Sequence, residues 1–287
     1  MEASTKNINS YKKNERKNIP FLDLRRGFEP VEKKIKEEWD QVLKTMKLFQ
    51  GENLKAFEED FARYLGVRHA YGVASGTDSL TLGLMASKIS PGDEVILPAN
   101  AFVAAVEAIR ISGARPVLVD IEGDGFSPGP RQIEERITEK TKGLLIVHMY
   151  GHPIDLDPIM DICRKYGLKL IEDCSHAHGA EYKARKVGSF GQVGCFSCGV
   201  VKNLNAYGDA GVVVTNDDTI AHYLNYFRVH GQVKKNDHHF YGFNSRLDEL
   251  QAAVLRIKLK YLDEKTLWRQ SIAKRYREAF SNLGEIK

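Results

Sequence analysis

The fold is decided by residues 143–174, which read GLLIVHMYGHPIDLDPIMDICRKYGLKLIEDC. Two short, β-rich apolar runs, Leu144–Tyr150 and Lys169–Cys174, flank a helical pattern at Pro158–Tyr166. We predict that this helix begins after an N-cap at Asp157 and ends at the following glycine, since these residue types favour helix ends. Both runs are apolar on both faces, which is typical of parallel strands covered by helices on each side. The stretch therefore predicts a β–α–β unit of an α/β protein.

The same alternation continues along most of the chain. Earlier strand-like runs lie at His69–Ser75, Glu94–Ala99 and Pro116–Ile121, and helical patterns lie between them at Thr77–Ile89, Phe102–Ser112 and Pro130–Ile137. Two later runs, Val193–Ser197 and Gly211–Asn216, are joined by a segment that is tight for a parallel crossover, so we predict an antiparallel strand there. The expected fold is α/β, with a seven-stranded, mostly parallel sheet, one antiparallel strand and helices on both faces.

Composition excludes several classes of protein. The chain has 287 residues, 43% of them hydrophobic, and a net charge of only +4 from 42 basic and 38 acidic residues. No run approaches the roughly 20 apolar residues of a membrane span, and no basic block interleaved with aromatic residues suggests nucleic-acid binding. Four cysteines make no disulfide framework, so we expect a reduced, cytoplasmic setting. The Lys- and Asn-rich residues 1–19 are expected to form a disordered tail.

Candidate site residues follow the strands, because ligands of open α/β sheets bind at the carboxyl ends of strands. Gly76 and Thr77 open a helix after the first strand, where free N–H groups favour an anion, although a simple capped turn is an equally good interpretation. Phe102 is suited to core packing or to a flat ligand ring. Asp173 closes an apolar strand, where a carboxylate needs a partner, and Lys202 follows two valines and is a candidate nucleophilic amine.

Two other interpretations of the same region are disfavoured. Cys195 and Cys198 have Cys-x-x-Cys spacing, but they lie in a predicted strand whose side chains alternate between faces, so we expect no metal site. Asp173, Ser175 and His176 contain the residue types of a hydrolase triad. However, near neighbours in sequence cannot converge on one substrate, and the chain lacks a Gly-x-Ser-x-Gly motif.

Taken together, these segments resemble the DegT/StrS family of sugar aminotransferases, which use pyridoxal phosphate (PLP) on the fold-type I aminotransferase scaffold. The similarity starts at Ile19 and runs nearly to the end of the chain. The order and spacing of the similar segments are specific, and these segments are Ile19–Leu24, Ser75–Asp78, Val147–Gly151, Ile171–Ala180, Gly194–Ser197, Lys202–Leu204 and Asn244–Ala252. The resemblance implies a large PLP-binding domain over residues 20–255, with residues 256–287 beginning a small C-terminal domain that continues in relatives.

The resemblance also implies a role for each site residue. Lys202 would bond covalently to PLP and shuttle a proton, and Asp173 would hold the ring nitrogen protonated. Phe102 would stack on the cofactor ring, and His176 would lie near its hydroxyl group. The phosphate would be held by the backbone of Gly76 and Thr77, by the Ser197 hydroxyl and, from the neighbouring subunit of a homodimer, by Asn244.

The implied reaction moves an amino group from an amino acid, with glutamate as the expected donor, to a keto group of a nucleotide-linked deoxysugar, in deoxysugar and polysaccharide biosynthesis. Two alternatives stay open. A PLP-dependent sugar dehydratase of the related branch carries histidine in place of Lys202, and a truncated paralogue would bind cofactor or partner without turnover. The chain also departs from the family pattern: Ala101 replaces a threonine, and Cys198–Val201 replaces the usual loop before the lysine.

Overall fold

The computed structural model describes residues 20–123, 125–281 and 283, so the predicted tail 1–19 lies outside the described residues. The strands are β1 His69–Val73, β2 Glu94–Pro98, β3 Arg115–Val119, β4 Thr141–Val147, β5 Lys169–Asp173, β6 Glu181–Tyr182, β7 Arg185–Lys186, β8 Val193–Ser197, β9 Gly211–Thr215, β10 Gln232–Lys234 and β11 Asp237–His238. The helices are α1 Leu24–Phe28, α2 Glu32–Thr45, α3 Glu52–Leu65, α4 Gly76–Ala86, α5 Val103–Ile111, α6 Pro130–Glu134, α7 Leu156–Tyr166, α8 Asp218–Phe227, α9 Glu249–Leu259 and α10 Leu262–Phe280. Short 3-10 helices lie at Glu29–Val31 and Met149–Gly151.

Seven of the strands form one mixed sheet, in the order β1-β9-β8-β5-β4-β2-β3. Strand β9 is antiparallel to both of its neighbours, with Val214 opposite Ala70 in β1 and Gly194 in β8. The remaining neighbours pair in parallel. The seven-stranded, mostly parallel sheet with one antiparallel strand is therefore confirmed. Its antiparallel member follows a loop that contains no helix to carry the chain back for a parallel pairing.

Helices cover both faces of this sheet, also as predicted. In β9, Val212 and Val214 pack into a core that includes apolar side chains of α3, α7 and α9. Val213, between them, points to the opposite face and packs with side chains of α4, α5 and α8. Strand side chains alternate between faces, so a strand buried on both sides must be apolar at every position. A smaller cluster joins α2 to α9 through Ile35 and Val254.

The start of α7 differs from the sequence-based prediction. The helix begins at Leu156 with Asp155 as the N-cap residue, so Asp157 lies in the first turn and Pro158 is the third helical residue. Proline is tolerated there because the N–H groups of the first turn have no intrahelical acceptor. Burial of Leu156 extends the helix backwards by two residues. The end is as predicted, with Gly167 at φ 66° donating its N–H to Cys163 O.

The strand ends bring distant segments to one edge. Asp173 at the end of β5 pairs with Cys195 in β8, and Ser197 at the end of β8 pairs with Gly211 in β9. Helix α4 begins close to Ser197. The approach is so close that a side-chain carbon added at Gly76 would lie 2.8 Å from Ser197 Oγ. The predicted domain boundary at residues 255 and 256 falls within the continuous helix α9. No helix in the described ranges is both long enough and apolar enough to cross a membrane.

Candidate active site

A cleft of about 750 Å³, a size typical of small-molecule sites, opens at this edge of the sheet. Seven of the eight residues proposed from the sequence line it: Gly76, Thr77, Phe102, Asp173, His176, Ser197 and Lys202. The eighth, Asn244, is exposed and does not line the cleft; its backbone pairs with Val229 in an isolated β-bridge. Its predicted contact is with a neighbouring subunit, so a single chain leaves that prediction untested.

Asp173 is the last residue of β5, and the strand holds it at the edge of the sheet where the cleft opens. The residue is 5% exposed, and its Oδ1 atom accepts a hydrogen bond of 3.0 Å from the Ser175 N–H. Among the described residues, none donates a hydrogen bond to Oδ2. Oδ2 is not sealed from the cleft that Asp173 lines, so it is free to accept a hydrogen bond from a ligand there.

Glu172, the preceding residue, was not singled out from the sequence. It is fully buried, and its carboxylate accepts hydrogen bonds of 2.7–2.8 Å from the N–H groups of Gly188, Phe190 and Gly191. Nε2 of His148 lies 3.1 Å from the same carboxylate, and Nδ1 of His148 accepts the Ile154 N–H. Because Nδ1 accepts, Nε2 is the nitrogen that donates to Glu172. Glu172 thus anchors the loop before β8 on the side of β5 opposite Asp173.

Atoms of His148, Glu172 and Cys174 lie within 4.8 Å of one another, a spacing compatible with a metal. Their polar atoms already have partners: the carboxylate of Glu172 accepts its backbone donors, and both nitrogens of His148 are hydrogen-bonded. Burial raises the pKa of Cys174 well above its ordinary value, because a thiolate would lose its hydration. His148 and Glu172 therefore form a hydrogen-bonded support beneath the cleft, and Cys174 is a buried neutral thiol beside them.

Lys202 lies in a loop that backbone hydrogen bonds hold in shape. Its N–H donates to Gly199 O at 2.9 Å, and Ala206 N–H donates to Cys198 O at 2.8 Å. Partial burial lowers the pKa of Lys202, and the charge of Asp173 opposes that shift. A lowered pKa increases the neutral fraction of the amine at a given pH, and only the neutral form is a nucleophile.

The start of α4 and the end of β8 form an anion cradle. Ser75 caps α4: its Oγ accepts the Asp78 N–H at 3.0 Å, and its backbone O accepts the Ser79 N–H. The N–H groups of Gly76 and Thr77 belong to the first turn, so they have no intrahelical acceptor. Both residues line the cleft together with Ser197. Two N–H groups at a helix start and one hydroxyl group are suited to a phosphate.

An aromatic wall, formed by Phe102, Phe126, Tyr150 and His176, lines the rest of the cleft. The rings of Tyr150 and His176 stack at 5.8 Å with an interplanar angle of 9°, and Phe126 meets Tyr150 edge-on at 5.4 Å. Tyr150 has φ 55°, an unusual backbone conformation for a non-glycine residue, of the kind found at functional sites. Phe126 and Tyr150 were missed in the sequence, although Tyr150 lies in the quoted strand–helix–strand stretch.

His176 has a buried Nδ1 atom with no hydrogen-bond partner among the described residues. Partial burial lowers the pKa of His176, and the nearby positive charge of Lys202 lowers it further. The imidazole is therefore neutral at neutral pH, and it is available to exchange a hydrogen bond with a ligand.

Cys195 and Cys198 have separate partners. Cys195 Sγ donates to Ser79 O at 3.2 Å, whereas Cys198 Sγ lies 3.7 Å from Nε2 of His178. Burial raises the pKa of Cys198 to about 12 and lowers the pKa of His178 to about 3, so neither side chain is charged near neutral pH. Their Cys-x-x-Cys spacing does not bring the two thiols to a common site.

Residues 30–287 match the family model described as the DegT/DnrJ/EryC1/StrS aminotransferase family. The chain belongs to this family. The family predicted from the sequence segments is therefore confirmed. The functional prediction, which rests on membership of an aminotransferase family, keeps that basis.

Relatives of known name support the same assignment. The chain is 46% identical over 264 residues to dTDP-3-amino-3,6-dideoxy-alpha-D-galactopyranose transaminase of Aneurinibacillus thermoaerophilus; the match covers 92% of this chain and 73% of that relative. Among solved structures, it is similar to S. venezuelae DesV in complex with a ketimine intermediate, with a TM-score of 0.90 and 40% identity over 92% of this chain and 71% of that one. It is also similar to NtdA of Bacillus subtilis with bound cofactor PMP, with a TM-score of 0.89 and 35% identity, covering 95% and 63% of the two chains.

Proposed function

We propose that this DegT/DnrJ/EryC1/StrS family member is a PLP-dependent aminotransferase that transfers an amino group from an amino acid, expected to be glutamate, to a keto group of a nucleotide-linked deoxysugar. The observation that carries the proposal is that Lys202 and Asp173 line one cleft with the open start of α4. The most similar relative described above is named as a transaminase of a dTDP-linked sugar.

The donor set of the cleft fits PLP. The N–H groups of Gly76 and Thr77 and the Ser197 hydroxyl would hold its phosphate. The free Oδ2 atom of Asp173 is a suitable acceptor for a protonated ring nitrogen, and the unpartnered Nδ1 of His176 is a suitable partner for the ring hydroxyl. Phe102 is 71% exposed, which leaves its ring free to cover a ligand.

When bound, PLP supplies an aldehyde that captures amines covalently and a ring that accepts electron density from the reacting carbon. The chain's own residues prepare that chemistry. The Asp173 carboxylate would hold a proton on the group that it faces through its negative charge and through a hydrogen bond to Oδ2. Lys202 provides the nucleophilic Nζ atom, and the same Nζ, when not covalently engaged, accepts and returns a proton. Backbone hydrogen bonds shape the loop that carries Lys202, and Lys202 and Asp173 line the same cleft.

A homodimer with shared sites also belongs to the proposal. Its support is the exposed position of Asn244 outside the cleft of its own chain, which is where a residue that serves a partner subunit would lie. Residues 256–287 are proposed to begin a covering small domain, because α10 displays Leu267, Trp268 and Tyr276 to solvent. The cytoplasmic setting remains a prediction; all four cysteines are unpaired and buried.

Borohydride reduction of the PLP-loaded chain, followed by peptide mapping, tests the role of Lys202. We expect a pyridoxyl adduct on the Lys202 peptide in the parent and none in Lys202→Arg, which keeps the charge but not the nucleophile. An adduct on another lysine, or none in the parent, would refute the proposal.

A single-turnover assay then separates an enzyme from a silent cofactor binder. Glutamate added to the loaded chain should yield PMP and 2-oxoglutarate, and a nucleotide-linked keto sugar should then gain the amine, as followed by mass spectrometry. A binder without turnover would give the adduct at Lys202 but no PMP. A dehydratase would release water from the sugar without transferring nitrogen.

A further inference from the structure

Ser245 is a fully buried residue that lies outside the cleft, next to the anion cradle. Its Oγ atom donates a hydrogen bond of 2.7 Å to Asp78 Oδ2 and accepts one of 3.2 Å from the Ala74 N–H. Ala74 lies just before the N-cap of α4, and Asp78 lies in the first turn of that helix. One hydroxyl group therefore ties together both ends of the short segment that carries Gly76 and Thr77.

This segment, residues 74–78, depends on hydrogen bonds for its position. Its residues are only partly buried, whereas α4 is buried from Ser79 to Leu84. The close contact between Gly76 and Ser197 prevents the segment from moving towards β8, but a steric contact does not prevent movement away from it. Among the described residues, Ser245 is the only one outside the segment and α4 whose side chain forms a hydrogen bond with residues 74–78. Its hydroxyl group is therefore the attractive side-chain link that holds the segment in place.

Ser245 is itself held to β1 through a buried ion pair. Its N–H donates to Arg228 O at 3.0 Å, and the Arg228 guanidinium donates to Gly72 O at 3.0 Å. Arg228 is 6% exposed and pairs with Glu58, whose carboxylate also accepts the Gly72 N–H at 2.7 Å. A buried network of charge-assisted hydrogen bonds is rigid. The Ser245 hydroxyl group is therefore a fixed point against which the start of α4 is held.

We propose that Ser245 is a positioning residue for the cofactor phosphate and that it acts through Asp78 and Ala74. The inference rests on the proposed function, which it deepens by naming a residue that shapes the cradle without touching the cofactor. Donors that are fixed before an anion arrives bind it more tightly, because they need no ordering on binding. Without the hydroxyl group, the Ala74 N–H loses its acceptor and the Asp78 carboxylate loses its donor, so the turn that forms the cradle is no longer fixed.

Pyridoxal, which lacks the phosphate group of PLP, separates an effect on the cradle from a general loss of structure. Both compounds carry the aldehyde that the Lys202 amine captures, and the binding of each is followed by its absorbance. We expect Ser245→Ala to raise the Kd for PLP by roughly 5- to 30-fold and to leave the Kd for pyridoxal unchanged. The matched control is Ser112→Ala, which removes another buried hydroxyl group, one that donates to Ile109 O at 2.8 Å outside the cleft. It should bind both compounds as the parent does.

A double-mutant cycle tests the path through Asp78. Ser245→Ala should raise the Kd for PLP by a smaller factor in an Asp78→Ala background than in the parent, since the hydrogen bond between the two residues is already absent there. Comparing the two factors cancels the effect of removing the carboxylate charge.

Three results would overturn the proposal: an unchanged Kd for PLP in Ser245→Ala, an equal loss of PLP and pyridoxal binding, or an equal factor in the two backgrounds of the cycle. Thermal unfolding of each variant shows whether it is folded. If Ser245→Ala fails to fold, Ser245→Cys takes its place in the same comparisons, because a thiol is of similar size and is a weaker donor. Failure of the proposed function would be separate, since the parent itself would then give no borohydride adduct at Lys202 with either compound.

Discussion

Replacing Gly76 with Ala tests the anion cradle at its tightest point. A side-chain carbon added there would lie 2.8 Å from Ser197 Oγ and 3.0 Å from Ser197 Cα, and closer still to Ser197 Cβ. Backbone and Cβ atoms cannot rotate away as the tip of a long side chain can. The start of α4 must therefore move away from β8, and it carries the two free N–H groups with it.

The size of the effect follows from this overlap. Adding one methyl group to a packed contact costs about 1–3 kcal/mol. If this cost appears mainly as lost binding free energy at the cradle, the Kd for PLP should rise by roughly 10- to 100-fold, since about 1.4 kcal/mol corresponds to a factor of ten. We expect equilibrium titration, followed by the absorbance of the bound cofactor, to show this weakening. Thermal unfolding of the cofactor-free chain should show a smaller loss of stability.

Two companion variants isolate the cause. Gly208→Ala adds the same methyl group outside the cleft, where its nearest neighbour, Gln251 Nε2, lies at an ordinary 3.4 Å. It should leave the Kd for PLP unchanged. The double variant Gly76→Ala/Ser197→Gly removes Ser197 Cβ and Oγ, the two nearest atoms, and should recover most of the stability without recovering full affinity, because the hydroxyl group is lost. If Gly76→Ala bound PLP as tightly as the parent, the contact between α4 and Ser197 would not shape the cradle.

Three further substitutions test the framework around the cleft. Replacing Glu172 with Gln leaves a buried N–H donor without an acceptor, and we expect chemical denaturation to give a free energy of unfolding lower by about 1–3 kcal/mol. Replacing Arg228 with Met leaves Glu58 without its ion-pair partner, and the same measurement should show a loss of about 3–5 kcal/mol. Lys258 has a pKa lowered to about 7, so between about pH 7 and 10 its amine is neutral in the folded chain and protonated in the unfolded chain. As the pH falls through that window, the free energy of unfolding of the parent should decrease by about 1.4 kcal/mol per unit more than that of Lys258→Met.

Each of these predictions has a clear contrary result. An unchanged denaturation midpoint in Glu172→Gln would show that the loop before β8 does not depend on the carboxylate. The double variant Arg228→Met/Glu58→Leu should be more stable than Arg228→Met alone, because it removes the stranded charge, and equal stabilities would contradict the argument. Parallel pH profiles of the parent and Lys258→Met would show that the buried amine keeps an ordinary pKa.

Local sequence patterns determined most of the architecture. Runs that are apolar at every position indicated strands buried on both faces, and the helix-free segment before Gly211 indicated an antiparallel return. The same reasoning predicted Asp173 and Lys202 at or just after the carboxyl ends of strands. Because the carboxyl ends of parallel strands lie at one edge of a sheet, this was enough to bring the two residues to the same edge. The boundary at Pro158 was missed by two residues, because burial of Leu156 decides where α7 begins, and burial is not visible in a local pattern.

The tertiary structure alone decided what surrounds those residues. In the sequence, nothing distinguishes Glu172 from other acidic residues near the ends of strands. Its carboxylate gains three backbone donors only because residues 188–191 fold back beneath it. Likewise, Arg26, Lys258 and Arg269 are ordinary surface cations when taken one at a time along the chain. They line one cavity only because residues 22–30 and α10 close over the Lys202 loop. Periodicity encodes which faces are buried, but the sum of charges around a cavity depends on which distant segments meet there.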